Sequence, residues 1–412
     1  MSNNLLTISK ITNEALMVLE NELTFTSEVD RNYDDQFAVV GAKIGQTVNV
    51  RRPGRFLGAI GPNLVVEDFN ETSVPVTLST QFQVSTQFTT QDLALSLDMF
   101  SDRILKPAIA TIANKMDRDG LLTAKNNTAN IVGTAGVAPT GLITYLTAAA
   151  YLDSEGAPRD GRRSVTIEPF TSSTIVDSLK GLFNPTETIS KQYTKGLMGR
   201  DSGGMNWYMD QNVVSQTFGS YASATLSCNV TTATGFLTSG WAYSSNITIG
   251  ATSAAATLNQ GDTFTIAGVY AVNPQNRQSY GKLRNFVVQS TTAIGSGGTA
   301  TVTVVPAVIT AGQFQNVSVT STGSQTVTPF NNTGVVSPQN ILMHRNAFTL
   351  ACADLELPEG VHFAGRASDK ELGLSIRVVR QYTINNDSIP TRLDVLYGWA
   401  PLYPELACRI AS

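Results

Sequence analysis

The sequence predicts an α+β protein that carries an all-β segment between the two halves of a larger domain. Three observations support this prediction. Apolar and polar residues alternate over 74–88, as in a long strand, and apolar residues at helical spacing follow over 91–125. The third observation is a change in composition at 211–337, where four charged side chains occur among short β-rich runs.

The composition argues against several classes of protein. The chain has 412 residues, a net charge of −4 and 15% charged residues, so it lacks the strong positive charge of general nucleic-acid-binding proteins. Cys228, Cys352 and Cys408 stand far apart and form no CxxC pair, which favours neither a disulfide framework nor a zinc site. No run of about 18 apolar residues occurs and acidic residues interrupt the N-terminal segment, so we expect no membrane span and no signal peptide.

One short stretch, GRDSGGMNWYMD at 199–210, resembles the loop around the nucleophilic serine of chymotrypsin-like proteases. A serine hydrolase needs a base within hydrogen-bond reach of the hydroxyl, and histidine is the usual base. His344 and His362 both follow Ser202, whereas those enzymes place the histidine before the serine. Gly, Ser, Asp and Asn are also the residues of surface turns. We therefore predict a structural turn, no enzyme and no cofactor.

The N-terminal residues predict an amphipathic helix over 4–23. Its apolar residues recur at helical spacing and form one stripe: Ile8, Ile11, Ala15, Leu16, Leu19 and Leu23. Such a stripe must be buried, either on its own domain or on a neighbouring subunit, and the sequence leaves both open.

A long two-stranded arm is predicted next. Residues 46–52, QTVNVRR, indicate a strand that ends at Pro53-Gly54, and the alternation at 74–88 supplies the second strand. A lone hairpin is marginally stable in water, so the arm should lie against something else. We predict that it contacts a neighbouring subunit through these residues: Arg51, Arg52, Arg55, Glu67, Asp68, Glu71, Phe82 and Phe88. The alternative is that the charges pair within one subunit.

Helical spacing resumes after the arm. The helix predicted over 91–125 carries the apolar positions Leu93, Leu97, Phe100, Ile104, Ala108, Ile112 and Met116. Pro107 should kink this helix or start its second half, because proline removes one backbone hydrogen bond. Gly- and Thr-rich sequence follows over 126–160.

The charge-poor segment predicts a small all-β sandwich or barrel. Runs such as DTFTIAGVYAV and TATVTVVPAV alternate with Gly, Ser and Asn turns. Mixed sequence resumes after Ser337, so this segment is inserted into a larger α+β domain. Its cations Arg277, Lys282 and Arg284 form a candidate contact with a neighbouring assembly unit, although solvated strand ends explain them equally well.

Several stretches together resemble one protein family. The chain resembles the major coat proteins of tailed double-stranded DNA phages with the Hong Kong 97-type capsid fold, and within them the P22-like branch with an inserted β domain. The resembling stretches are QTVNVRRPGRF (46–56), SLKGLFNPTETISKQYTKGLMGR (178–200), GDTFTIAGVYAVNPQNRQ (261–278) and the segment from LELPEGVHFAGR to LDVLYGW (355–399).

The resemblance implies a domain organisation. Residues 1–35 would be an N-terminal arm and 42–88 an extended loop, a β-hairpin that lies on the adjacent subunit. Residues 36–41 and 89–160 would form a peripheral domain with a spine helix at 91–125. The axial domain would comprise 161–212 and 338–412, and the inserted β domain 213–335.

The function that the resemblance implies is self-assembly. Copies would form hexamers and pentamers of an icosahedral head around packaged double-stranded DNA, without sequence-specific binding. Scaffolding protein and a portal would be partners, and no membrane is expected. The protein would reside in the virion after assembly in the host bacterial cytoplasm. Two alternatives stay open: an encapsulin-like compartment shell, and a phage decoration or adhesion protein.

Overall fold

The computed structural model describes residues 15–19, 23–31, 45, 47–67, 71–89, 105–178, 203–221, 223–231, 235–331, 334–369, 374–385 and 388–412. Residues 15–19 are helical, within the N-terminal helix predicted from the sequence. Residues 4–14 and 20–22 of that prediction, the first part of the helix predicted over 91–125, and Asp68 lie outside the described residues.

The helices and strands are named here in chain order. The helices are α1 (Lys106–Asn127), α2 (Leu142–Ser154) and α3 (Pro169–Ser178). The strands are β1 (Thr47–Arg52), β2 (Thr72–Thr77), β3 (Thr80–Thr89), β4 (Ile131–Gly133), β5 (Arg163–Ile167), β6 (Asn206–Met209), β7 (Ser215–Thr217), β8 (Thr225–Asn229), β9 (Phe236–Leu237), β10 (Ser245–Thr252), β11 (Ala256–Leu258), β12 (Thr263–Val272), β13 (Ser279–Val288), β14 (Thr292–Ile294), β15 (Thr299–Val305), β16 (Val308–Ile309), β17 (Val317–Val319), β18 (Ser324–Pro329), β19 (Val336–His344), β20 (Phe348–Ala353), β21 (Phe363–Asp369), β22 (Leu374–Arg380), β23 (Ser388–Pro401) and β24 (Ala407–Ala411).

The chain divides into two compact units. The first unit comprises Met1–Val50, Pro75–Gly120 and Phe348–Ala400; the second comprises Arg51–Val74, Leu121–Ala347 and Pro401–Ser412. The sequence-based division placed the segment after 338 with 161–212 in one axial domain. In the first unit, 348–400 lies with β3, which pairs with β23 along its whole length; the predicted domain boundaries stay a prediction.

The first unit contains a mixed-length antiparallel sheet. Its strand order is β20-β23-β22-β21, and β3 pairs with β23 from Thr80↔Tyr397 to Thr89↔Ser388. Phe82 and Val84 are half-buried whereas Gln83 and Ser85 are exposed, so the alternation seen in the sequence does separate two faces. It spans two strands, however: β2 pairs with β1, and β3 belongs to this sheet.

Helix α1 buries one face. Ile109, Ile112, Ala113 and Met116 recur every three or four residues and are all at most 1% exposed. Pro107 is the second residue of α1. Residues 101–104 lie outside the described residues, so the predicted kink or start at Pro107 stays a prediction.

A glycine in α1 admits two aromatic rings of the first unit. A Cβ at Gly120 would lie 2.6 Å from the Trp399 ring and 2.9 Å from the Phe25 ring. The two ring centroids are 5.8 Å apart. A larger residue at this position would displace the rings, so the glycine serves close packing at the cost of helix propensity.

The second unit contains a sheet with strand order β4-β24-β19-β5-β6. Helix α2 packs on it through a shared apolar core that includes Tyr145, Leu152, Val165, Leu342 and Ile410. Strand β7 also pairs with β19, through Ser215↔Pro338 and its neighbours. The chain therefore leaves this sheet and returns to it at adjacent points, with the β-rich segment in between.

The β-rich segment is a closed barrel. Its strands follow the order β13-β15-β10-β8-β18-β12, and β12 pairs back with β13. All these pairs are antiparallel, and β17 adds to β12. Phe264 and Phe286 lie inside, fully buried, with ring centroids 6.0 Å apart. Closure leaves the six strands without a free edge, which suits a segment with few charges to protect an edge.

Candidate assembly surface

The arm comprises β1, β2 and the loop between them. Residues 53–67 of this loop have no regular secondary structure. Within it lies the arm tip, residues 56–66, which exposes large apolar side chains: Phe56, Leu57, Ile60, Leu64, Val65 and Val66. Ile60 is fully exposed and Leu64 is 90% exposed. Monomeric proteins rarely expose contiguous apolar patches of this kind, so the arm tip has the character of a contact surface.

Hydrogen bonds and glycine backbone conformations within the arm fix the shape of the arm-tip loop. The Glu67 carboxylate accepts hydrogen bonds from the backbone N–H groups of Leu57 (2.7 Å) and Gly58 (2.5 Å). Gly58 and Gly61 have φ values of +70° and +137°, which only glycine adopts without strain. Glu67, predicted as an interface residue, therefore has a role within its own chain: it closes the loop that presents the apolar side chains.

The other predicted charges of the arm that the structure describes are also paired within the chain. Arg51 and Glu71 form an ion pair at 3.4 Å, and both side chains are largely exposed. Such a pair contributes about 1 kcal/mol or less. Arg52 and Arg55 both contact the Glu405 carboxylate, Arg55 at 3.6 Å. An intersubunit role for these side chains stays a prediction, as it does for Asp68.

The two predicted phenylalanines lie away from the two-stranded ribbon. Phe82 and Phe88 belong to β3, where their backbone positions pair with those of Val395 and Ile389 in β23. The sequence placed them on the apolar face of the arm, whereas the strand that carries them hydrogen-bonds to β23 instead of β1. An intersubunit role for both phenylalanines stays a prediction. The apolar surface of the arm is its tip, which the period-two pattern does not reveal.

The base of the arm is fixed by what we call the arm-root cluster: Arg52, Arg55, Trp241, Tyr403 and Glu405. The Arg52 guanidinium lies 4.4 Å from the Tyr403 ring centroid and 5.6 Å from that of Trp241. Burial alone would raise the pKa of Glu405, but the positive charges of Arg52 and Arg55 hold that pKa below its ordinary value. Burial lowers the pKa of Arg55.

The predicted cationic cluster does not form a common surface. Arg284 is 3% exposed and pairs with Glu155, which is 4% exposed. Arg277 is half-buried and donates a hydrogen bond to the Phe56 carbonyl oxygen at 2.5 Å. Lys282 is exposed. Burial of an arginine requires a counterion, and Glu155 at the end of α2 supplies it, so Arg284 is unavailable to a neighbouring subunit.

A second buried polar group lies where α1, the barrel and β24 meet in the second unit. Arg409 is fully buried and donates hydrogen bonds to the carbonyl oxygens of Lys125 (3.1 Å) and Gly261 (2.8 Å). The Asp262 carboxylate accepts from Gln216, whose amide oxygen accepts from Lys125 at 2.7 Å. Burial, reinforced by the Arg409 charge, lowers the pKa of Lys125 to about 8.

This lowered pKa predicts a pH-dependent stability difference. Lys125 binds its proton more weakly in the folded chain than in the unfolded chain, whose lysine pKa is near 10.5. Between about pH 8 and 10.5 the unfolded state holds more protons, so folding stability rises with pH through this group. Relative to Lys125→Met, we expect the parent to gain about 2–3 kcal/mol over this range.

Urea denaturation of the parent and of Lys125→Met at several pH values measures this gain in stability. Lys282→Met, at an exposed lysine, is the matched control and should show a constant difference from the parent. A constant difference for Lys125→Met would contradict the prediction.

The sequence loop that resembles a protease site offers no catalytic geometry in the described residues. Gly203 and Gly204 adopt left-handed φ values of +67° and +76°, as turn glycines do, while Asp201 and Ser202 lie outside the described residues. His344 is buried and contacts the Asp160 carboxylate at 3.2 Å. The described residues contain no group of three metal-ligating side chains, and none of their helices is long and apolar enough to cross a membrane.

Comparison with known proteins identifies the family. A family model described as P22 coat protein – gene protein 5 matches residues 2–409, nearly the whole chain. The chain is therefore a viral coat protein. It belongs to the P22 coat protein family and is a phage major capsid protein, which forms the shell of the head. This assignment decides against the compartment-shell and decoration or adhesion alternatives.

Solved structures give distant likenesses, while no curated protein matches the chain. A structure of Mycobacterium phage Che8 shares 10% identity over 94% of this chain and 90% of its own, with a TM-score of 0.47. The mature capsid of bacteriophage PhiM1 shares 11% identity over 90% and 83%, with a TM-score of 0.44. The capsid of Ralstonia phage GP4 shares 8% over 94% and 88%, at 0.42. With TM-scores below 0.5, these likenesses add no argument to the family match.

Proposed function

We propose that this coat protein is a Hong Kong 97-type capsid subunit whose arm tip docks on a neighbouring copy of the same chain. In this proposal α1 belongs to the spine helix of a peripheral domain, and the sheet around β19 belongs to the axial domain. The barrel is a domain inserted into the axial domain, and the copies form the hexamers and pentamers of an icosahedral head. The observation that carries the proposal is the exposed apolar arm tip.

The energetics of the arm tip favour docking. Burial of one Val, Leu, Ile or Phe side chain contributes roughly 1.5–3 kcal/mol, and six such side chains are exposed at the tip. The tip is a loop at the end of a two-stranded ribbon, which can extend beyond its own subunit. A contact in which each copy gives one arm and receives another is head-to-tail, and such contacts close into rings when the rotation permits.

Other partners follow from the role of a shell subunit. The chain encloses double-stranded DNA without reading its sequence, consistent with its net charge of −4. A scaffolding protein and a portal complete the assembly, which takes place in the host cytoplasm and ends in the virion. The protein acts as a structural subunit and not as an enzyme.

A charge in the arm tip tests the proposal. We expect Ile60→Asp to fold with a melting temperature within about 2 °C of the parent, since an exposed substitution rarely alters stability. Under conditions in which the parent forms shells, it should remain unassembled, because a buried carboxylate at the docking contact would be unpaired. Sedimentation and negative-stain microscopy measure the outcome.

The matched control introduces the same charge elsewhere. Ser296→Asp lies in an exposed turn before β15 and should form normal shells. If Ile60→Asp assembles as the parent does, the arm tip is not a docking surface.

A further inference from the structure

The barrel contacts the arm of its own chain at two places. Trp241, in the connection from β9 to β10, lies against the Arg52 guanidinium of the arm root. Arg277, in the turn from β12 to β13, donates to the Phe56 carbonyl oxygen where the arm tip begins. All these residues belong to the second unit.

The contact at Trp241 is firmly supported from the barrel side. Trp241 packs on a small apolar cluster formed by Ala307, Ile309 and Phe314. Tyr403 also lies against Arg52, and Glu405 neutralises its charge. A cavity of about 70 Å³ lies among these side chains. A planar guanidinium that contacts two rings and binds a carboxylate has few alternative orientations, so the arm root is fixed.

The conformation of the turn that carries Arg277 supports its contact with the arm. Arg277 has a left-handed φ of +55°, which is uncommon for a residue with a side chain. The Asn273 side chain accepts hydrogen bonds from the backbone N–H groups of Gln275 (2.8 Å) and Asn276 (3.3 Å). The turn is thus held in one shape, and that shape directs the Arg277 side chain to the arm.

A shallow groove also lies between the arm and the barrel. It is lined by Leu57 and Glu67 of the arm and by Ser239, Gly240 and Phe314 of the barrel. Gly312 and Gly240, both with left-handed φ values, stand on the barrel side of this groove. The arm therefore contacts the barrel at its root and at the start of its tip.

From these contacts we propose that the barrel positions the arm for assembly, with Trp241 and Arg277 as positioning residues. A two-stranded ribbon is marginally stable alone and would sample many directions. When the ribbon is held against the barrel, its tip points in one direction. Docking then costs less conformational entropy, because the arm already has its bound geometry. This inference rests on the proposed docking of the arm tip on a second copy of the chain.

Two variants test the positioning role. Arg277→Ala removes one contact without disturbing the barrel core, since the side chain is only half-buried. The double variant, Arg277→Ala with Trp241→Ala, removes both contacts. In the unassembled protein we expect chymotrypsin to cleave at Phe56 and Leu57 about fivefold faster in the double variant, because the arm leaves the barrel more often. We also expect the concentration needed for shell formation to rise about tenfold, as the ordering cost returns.

The controls separate this inference from the proposed function. Ser296→Asp, elsewhere on the barrel, should match the parent in both measurements. Ile60→Asp should lose shell formation while cleavage at Phe56 stays slow, since its arm is still held. If the arm is cleaved at the parent rate in both Arg277→Ala and the double variant, the barrel does not hold the arm. If cleavage accelerates in the double variant but Ile60→Asp assembles normally, the barrel holds the arm but docking of the tip fails.

Discussion

Replacement of Glu155 by alanine is expected to lower the free energy of unfolding by about 3–5 kcal/mol, since it leaves a buried arginine without its counterion. Glu155 and Arg284 are 4% and 3% exposed and form an ion pair, and Tyr280 donates a second hydrogen bond to Glu155 at 3.1 Å. Burial raises the pKa of Glu155; burial alone would lower the pKa of Arg284, but the Glu155 charge raises it. Urea denaturation of the unassembled chain measures the loss.

A double variant shows whether the unpaired charge is the cause. Glu155→Ala combined with Arg284→Met removes both charges, and we expect it to recover much of the stability, because an apolar side chain can fill a buried ion-pair site. Arg51→Ala breaks the exposed pair with Glu71 and should cost about 1 kcal/mol or less. Equal losses for Glu155→Ala and Arg51→Ala would contradict the predicted importance of burial.

Replacement of Asp117 by alanine is expected to release the segment before β1 from α1 at a cost of about 3–4 kcal/mol, through loss of several charge-assisted hydrogen bonds. The buried Asp117 carboxylate accepts from the backbone N–H groups of Thr24 (2.9 Å) and Thr26 (2.8 Å) and from the Thr26 hydroxyl. The same segment places Phe25, fully buried, against Trp399. Hydrogen exchange of the Thr24 and Thr26 amides should accelerate strongly.

Neighbouring substitutions distinguish this anchor from a general effect on the helix. Arg118→Ala changes the next residue of α1, which is exposed, and should leave both stability and amide exchange near the parent values. Asp117→Asn keeps an acceptor oxygen but no charge, so its loss should be intermediate. Slow exchange at Thr26 in Asp117→Ala would show that packing of Phe25, rather than Asp117, holds the segment.

Local patterns predicted several elements well. The helical spacing of Ile112 and Met116 marks the buried face of α1, and the alternation around Phe82 and Val84 marks the two faces of β3. These predictions succeed because burial on one face of a helix or strand imposes a period on the residues themselves. The family resemblance, carried by stretches spread along the chain, identified a phage coat protein, which the family match confirms.

The arm tip, which we propose as the docking surface, was not among the predicted interface residues. Charged residues and the phenylalanines of β3 were predicted as interface residues because they are distinctive in type or spacing. The exposed residues Ile60 and Leu64 stand in a Gly- and Pro-containing loop with no period at all. The sequence did contain a usable signal. The apolar residues here stand beside Gly58, Gly61 and Pro62, which interrupt helices and strands, so these residues do not continue the buried face of such an element.

By itself, the sequence determined the secondary-structure types, the charge-poor all-β segment and the family of this coat protein, since each depends on neighbouring residues or on motifs in chain order. The tertiary structure alone decided that β3 joins β23, that Arg284 is buried against Glu155 and that the arm root is bound by Trp241 and Glu405. These partners are distant in sequence. Many strands could pair with the edge of β3, and many carboxylates could pair with an arginine. Only the packed chain determines which partner is close enough to bind.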